Sequence, residues 1–159
     1  MIAFVRRHVV VPVVALLRQG ITPERIALSL ACGTILSIFP VLGTTTVLCT
    51  AVALLWRLNL AAIQAANFAM TPLQLLLIIP FARIGERLLG DPAQPLSIGA
   101  GQEMIAQGAG QAVAVLWDAI VHAVVGWLVF GPIAIYLLYR ALIPVLERAA
   151  RRFRPRPAI

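Results

Sequence analysis

Residues 37–46, SIFPVLGTTT, place a proline, a glycine and three consecutive threonines in the middle of a long uncharged segment. Pro40 removes a backbone donor, and Gly43 allows dihedral angles that other residues avoid. Backbone groups freed in this way are costly in hydrocarbon unless protein groups or water satisfy them. Because hydroxyl groups follow the break directly, the pattern predicts a polar-lined turn that binds an anionic or polar ligand through amides and hydroxyls.

A second apolar segment, residues 58–82, carries amide side chains and a Thr-Pro step near its middle. We predict that the segment is interrupted at this step and again at Pro80, and that its polar groups meet those of the first break. The alternative is a helical hairpin in which the same small polar residues only pack helix against helix. The residues of the predicted ligand site are Pro40, Gly43, Thr44, Thr45, Thr46, Asn67, Thr71, Pro72 and Gln74.

Other patterns that carry chemistry are missing from the sequence. The apolar segments contain no acidic residue, no metal-ligand cluster and no nucleophile beside a base. Asp118 and His122 are one helical turn apart and are candidates for a pair; the alternative is a helix-end anchor at the membrane interface. We therefore expect a protein that is not an enzyme, with no catalytic residue, no metal and no cofactor.

The composition indicates a membrane protein. Apolar residues make up 61% of the 159 residues and charged residues 12%, against about 45–50% and about 25% in soluble domains. The thirteen basic residues are all arginine and exceed six acids, giving a net charge of +7. Anionic lipid attracts arginines near a membrane. The sequence lacks the basic stripe with interleaved aromatic residues that would indicate binding to nucleic acid. The predicted contacts with lipid headgroups are Arg57, Arg83, Arg87, Arg151 and Arg152.

The length of the first uncharged segment argues against one simple crossing. A straight helix over residues 26–56 would be about 46 Å long, whereas the hydrocarbon core is about 30 Å thick. We predict an all-α, polytopic membrane protein with interrupted or re-entrant helices. Its predicted parts are an interfacial amphipathic helix (1–25), a hydrophobic domain with two broken segments (26–90), a polar Gly/Gln-rich connection (91–118), a C-terminal transmembrane helix (119–146) and a basic tail (147–159).

The distribution of arginines predicts the topology. The three apolar segments are residues 26–56, 58–82 and 119–139. If each of them crossed the membrane once, one arginine cluster would lie outside the cytoplasm, against the positive-inside tendency. An even number of crossings places both termini in the cytoplasm. This requires one segment to enter and leave by the same face; we favour residues 26–56, with Gly131-Pro132 in the third segment as the alternative.

Residues 22–90 resemble a bacterial family of small membrane proteins, domain of unknown function 2062. The resemblance rests on TPERIALSLACG (22–33), FPVLGTTT (39–46), RLNL (57–60) and NFAMTPLQLLLIIPFARIGERLLG (67–90). Many relatives carry Asn-Pro where this chain has Thr71-Pro72. The resemblance implies a multi-pass protein of the bacterial inner membrane.

Similar domains occur fused to glycosyltransferases, which implies a link to lipid-linked sugars. Two hypotheses follow: transport or flipping of an anionic or lipid-linked small molecule in envelope biogenesis, or a non-catalytic membrane scaffold that partners a glycosyltransferase. Other expected partners are anionic membrane lipids and a second copy in a homodimer, with no nucleic acid.

Overall fold

A computed structural model of the chain describes residues 21–92 and 109–153. Within these ranges the fold is helical and contains no strand, so the all-α prediction is confirmed. Among the described residues, two helical segments are long and apolar enough to cross a membrane, Leu60–Leu89 and Val115–Arg151, whereas the helix Thr45–Leu55 is apolar but shorter. The helices are α1 Pro23–Ser37, α2 Thr45–Leu55, α3 Leu60–Leu89 and α4 Ala109–Phe153.

The predicted break in the first apolar segment is present. The hairpin tip, residues 38–44, separates α1 from α2, and Gly43 in this tip has a left-handed φ of +82°. Beyond α2, the amide of Asn59 donates to the hydroxyl of Ser29 near the start of α1, at 2.9 Å. The chain therefore reverses at the tip, and α1 and α2 form a helical hairpin.

The predicted break in the second apolar segment is wrong, because α3 continues through both Pro72 and Pro80. The hydroxyl of Thr71 donates to the carbonyl of Asn67 one turn earlier, at 3.2 Å. Hydroxyl bonds of this kind help an apolar helix to accommodate proline. In addition, no glycine follows Pro72 at the spacing of Gly43 from Pro40, so the chain has no residue that favours a reversal there.

The fourth helix, α4, is longer than the predicted transmembrane segment of residues 119–146. α4 begins ten residues earlier and ends seven residues later, and it runs through Gly131-Pro132 and Pro144 without a break. Re-entry at Gly131-Pro132 is therefore wrong, and residues 147–153 are helical because alanine and arginine favour helix. The predictions for residues 1–20, 93–108 and 154–159 lie outside the described residues.

Glycines bring α3 and α4 into close antiparallel contact. Gly85 of α3 lies against the backbone of His122, and Gly126 of α4 lies against the carbonyl of Phe81. A Cβ atom at either glycine would overlap the opposite backbone. Small residues that let helix backbones approach in this way are typical of helix packing in membranes.

The α1–α2 hairpin covers only half of the α3–α4 pair. Gly33 of α1 packs against the backbone of Ile63 near the start of α3. Just beyond the C-terminal end of α1, the carbonyl of Phe39 accepts from the side chain of Gln74, in the middle of α3, at 2.7 Å. The ring of Phe39 lies edge-on to Trp127 of α4, with centroids 5.0 Å apart. The hairpin tip therefore lies near mid-length of α3, whose 30 residues extend about 45 Å.

The side chains are distributed with small residues inside and large apolar residues outside. Among the side chains that the structure describes, seven of the sixteen buried hydrophobic residues are alanine, whereas twenty-four large hydrophobic residues are exposed. Leu55, Leu76 and Val47 are each more than 70% exposed. The packed interior thus depends on close backbone contact and leaves the bulky apolar groups facing outward.

Candidate functional site

A seam of polar side chains joins α2 to α3. We call Thr46, Thr50, Gln64 and Asn67 the polar seam. The amide nitrogen of Gln64 donates to the Thr46 carbonyl at 3.1 Å and to the Thr50 hydroxyl at 2.9 Å. The amide nitrogen of Asn67 donates to the Thr46 hydroxyl at 3.3 Å and to the Gln64 side-chain oxygen at 3.1 Å. The seam therefore ties the second arm of the hairpin to the long helix.

Asn67 has one polar atom that the protein does not satisfy. The residue is 2% exposed, and its side-chain oxygen has no hydrogen-bond partner among the residues that the structure describes. Rotating the amide would not help, because Gln64 Oε1 would then lose the donor that Asn67 Nδ2 provides. An unsatisfied buried oxygen costs about 1–3 kcal/mol. The site therefore holds an acceptor that a ligand with a hydroxyl, amine or water proton would satisfy.

The first turn of α2 contacts the amide nitrogen of Asn67 through Thr46. Thr44 at the N-cap makes no side-chain capping bond, because its hydroxyl donates back to the Val41 carbonyl at 2.9 Å. The amides of the first helical turn, which have no partner inside the helix, are therefore left without this cap. Thr44 and Thr46 are exposed and Thr45 is buried. Such a helix end attracts anions through its free amides and its dipole.

The structure brings part of the predicted site together. Asn67 lies on the Thr44–Thr46 turn, and Gln74 reaches the hairpin tip through the Phe39 carbonyl. Pro40 is buried and Gly43 is exposed, both in the tip. By contrast, Thr71 and Pro72 are exposed on α3, and the Thr71 hydroxyl bonds its own helix.

Sequence reasoning did not include Gln64 and Thr50 in the site. Each lies one helical turn from a predicted residue, Gln64 three before Asn67 and Thr50 four after Thr46. That spacing was the available signal, because residues three or four apart share a helix face.

A second polar group, far from the hairpin, connects the end of α3 to α4. His122 is 6% exposed; its Nδ1 lies 2.6 Å from the backbone carbonyl of Asp118, and its Nε2 lies 2.8 Å from a carboxylate oxygen of Asp91. The predicted Asp118–His122 contact thus involves the backbone of Asp118. A carbonyl oxygen only accepts, so Nδ1 carries a proton, and a second proton lies between Nε2 and the carboxylate.

These residues line a cavity of about 360 Å³ together with Leu89, Pro92 and Val121. Across the described residues, no group of three or more His, Cys, Asp or Glu side chains is arranged to hold a metal ion. The His122–Asp91 contact joins α4 to the residue that follows Gly90 at the end of α3.

The arginines predicted to contact lipid fall at opposite ends of the helices. Arg57 and Arg151 lie at the end that holds the start of α1, which we call the basic end, whereas Arg83 and Arg87 lie at the far end. Of these arginines, Arg83 forms an ion pair with Glu86 at 2.9 Å. The side chain of Arg152 lies outside the described residues.

Comparison with known proteins identifies a family. A family model described as "Uncharacterized protein conserved in bacteria (DUF2062)" matches residues 10–154. No curated protein and no solved structure matches the chain. The suspected family is therefore confirmed, and the match extends beyond residues 22–90 to include the long fourth helix.

Proposed function

For a chain that belongs to the bacterial family DUF2062, we propose a function in the inner membrane: binding an anionic or lipid-linked small molecule at the polar seam and moving it across the bilayer during envelope biogenesis. The observation that carries this proposal is Asn67, whose buried oxygen has no partner among the described residues and whose amide nitrogen contacts Thr46 at the uncapped start of α2. No part of it requires a catalytic residue or a cofactor.

The membrane location is supported by the distribution of apolar side chains. α3 and α4 each contain a segment of sufficient length and hydropathy to span a bilayer. A soluble protein with twenty-four exposed large hydrophobic residues would have apolar surface far beyond the usual patch size. Lipid would cover this surface, and alanines and glycines pack the interior, as expected for membrane helices.

The orientation is supported by the charge at the basic end. Ile21, before α1, packs with Leu146 near the end of α4, so both described chain ends lie there. The arginines nearest this end are Arg25, Arg57, Arg140, Arg148 and Arg151, opposed by Glu24 and Glu147, whereas the far end holds Arg83 and Arg87 against Glu86, Asp91 and Asp118. By the positive-inside tendency the basic end faces the cytoplasm. The hairpin then enters from the cytoplasm and turns back near the bilayer centre.

The site supports a ligand with both an anionic group and a proton donor. The uncapped amides of α2 suit a phosphate or carboxylate, and the oxygen of Asn67 suits a hydroxyl. A sugar phosphate attached to a lipid has both groups. The exposed apolar residues Val47 and Phe68 on α2 and α3 provide a surface for the lipid chain.

A non-catalytic scaffold is the second candidate, and a different observation favours it. Gln64 and Thr50 satisfy each other, and Gln74 satisfies the Phe39 carbonyl, so these polar groups already stabilise the helix contacts. As a scaffold, the chain would hold a partner such as a glycosyltransferase, or a second copy, without binding a small molecule.

The test is complementation of a strain that lacks the gene, with envelope-lipid profiling as the readout. The variants are Asn67→Leu, which removes the orphaned oxygen, and Gln74→Leu, which removes a satisfied packing contact. We expect the deletion to accumulate a lipid-linked intermediate, and we expect Asn67→Leu to be expressed normally without restoring the profile.

Two outcomes favour the scaffold instead. If deletion leaves the envelope lipids unchanged, transport of a lipid-linked molecule is excluded. If Asn67→Leu lowers expression and folding as much as Gln74→Leu does, Asn67 is a packing residue.

A further inference from the structure

The outer face of α4 changes from apolar to basic along one row of side chains. Ile133 and Leu137 are 58% and 60% exposed, and Arg140, Pro144 and Arg148 continue the face with exposed side chains. Residues four apart occupy one side of a helix. Arg140 directly follows the apolar segment 119–139, so the change falls where hydrocarbon would meet the polar region of a bilayer.

Neither arginine has a partner within the described part of the chain. Arg140 and Arg148 form no ion pair and no side-chain hydrogen bond, and Glu147, the nearest acid in sequence, pairs with neither. They are separated by two turns of helix, about 12 Å along the axis. Pro144 lies between them and has no long side chain to fill the space. The surface at Pro144 is therefore open, and an arginine lies one helical turn away on each side of it.

We propose that this face binds an anionic phospholipid, with its phosphate between Arg140 and Arg148 and one acyl chain along Leu137 and Ile133. Guanidinium groups match phosphate oxygens in charge and in hydrogen-bond geometry, and the apolar row continues from them in the direction of the bilayer centre. The proposal rests on the membrane location proposed above but does not depend on a ligand at the polar seam. Neither arginine was among the predicted lipid contacts.

The test is native mass spectrometry of the full chain in detergent, titrated with phosphatidylglycerol and, separately, with zwitterionic phosphatidylcholine. Each arginine near anionic lipid is worth about fivefold in affinity. We therefore expect Arg140→Gln combined with Arg148→Gln to weaken phosphatidylglycerol binding about 30-fold and to leave phosphatidylcholine binding unchanged. The comparison variant, Arg83→Gln with Arg87→Gln, removes the same charge at the far end, where Arg83 already pairs with Glu86, and should weaken phosphatidylglycerol binding clearly less than the Arg140 and Arg148 substitutions do.

Water-soluble glycerol phosphate distinguishes a lipid site from a simple phosphate site. We expect it not to compete with phosphatidylglycerol at equal concentration, because it lacks the acyl chain. Circular dichroism of each variant checks that helix content is retained, and Arg140→Lys with Arg148→Lys should recover part of the affinity because the charges remain. Equal losses in the two double glutamine variants, or full competition by glycerol phosphate, would overturn the proposal.

Discussion

Replacing Asn67 by leucine should have little effect on stability although the residue is almost completely buried. The substitution removes two donated hydrogen bonds, to Thr46 and Gln64, each worth about 1 kcal/mol net. It also removes a buried oxygen without a partner, which relieves about 1–3 kcal/mol. The two effects have opposite sign and similar size. We therefore expect the free energy of unfolding to change by less than about 1 kcal/mol.

Gln74→Leu is the matched comparison, since it replaces another buried amide of the same helix. Its side chain donates to the Phe39 carbonyl at 2.7 Å. No buried atom of Gln74 lacks a hydrogen-bond partner, so the substitution removes no unfavourable group that would offset the lost bond. Leaving that carbonyl without a donor should cost about 1–3 kcal/mol. A loss of 1 kcal/mol corresponds to about 2–4 °C in a domain of this size. Only Gln74→Leu should therefore lower the unfolding midpoint by several degrees.

The assay is thermal unfolding of both variants and the natural chain in dodecyl maltoside micelles, followed by far-UV circular dichroism. Helix content before heating establishes that the variants are folded. The reasoning is refuted if Asn67→Leu is destabilised as much as Gln74→Leu. That result would mean that the Asn67 oxygen is satisfied in the folded protein, and the polar seam would then serve packing alone.

Three further predictions concern the hairpin and the helix contacts. Gly126→Leu should abolish stable folding, because any side chain there overlaps the Phe81 carbonyl, and overpacking costs about 1–3 kcal/mol or more. Normal expression and a normal size-exclusion elution profile of this variant would contradict the prediction. Cys32 and Cys49 are 0% exposed and belong to the same core cluster. Maleimide should therefore label them only after the protein is unfolded in dodecyl sulfate. Rapid labelling of the folded protein would show that the hairpin is open. Arg57 has a left-handed φ of 52°, which costs a non-glycine residue about 1–2 kcal/mol. Arg57→Gly should therefore raise the unfolding midpoint by a few degrees, and a lowered midpoint would show that the arginine side chain stabilises the turn.

The sequence alone was sufficient for the features that depend on local chemistry. The apolar content and the near absence of charge in three segments indicate membrane-type helices. The reversal after Ser37 was predictable because Pro40 and Gly43 act on their own backbone, whatever lies around them. The family was likewise identified from motifs on both sides of that reversal.

Tertiary contacts decided the rest. Pro40 and Pro72 both interrupt an apolar segment in the sequence, but of the two only Pro40 lies in a turn. The helix that contains Pro72, α3, packs along both α1 and α4, and the Thr71 hydroxyl donates to the Asn67 carbonyl one turn earlier. The partners of Asn67, Gln64 and His122 are likewise set by which helix lies opposite. The orphaned oxygen of Asn67 is therefore a property of the assembled helices, since hydrogen-bond satisfaction depends on distances between segments that no local pattern encodes.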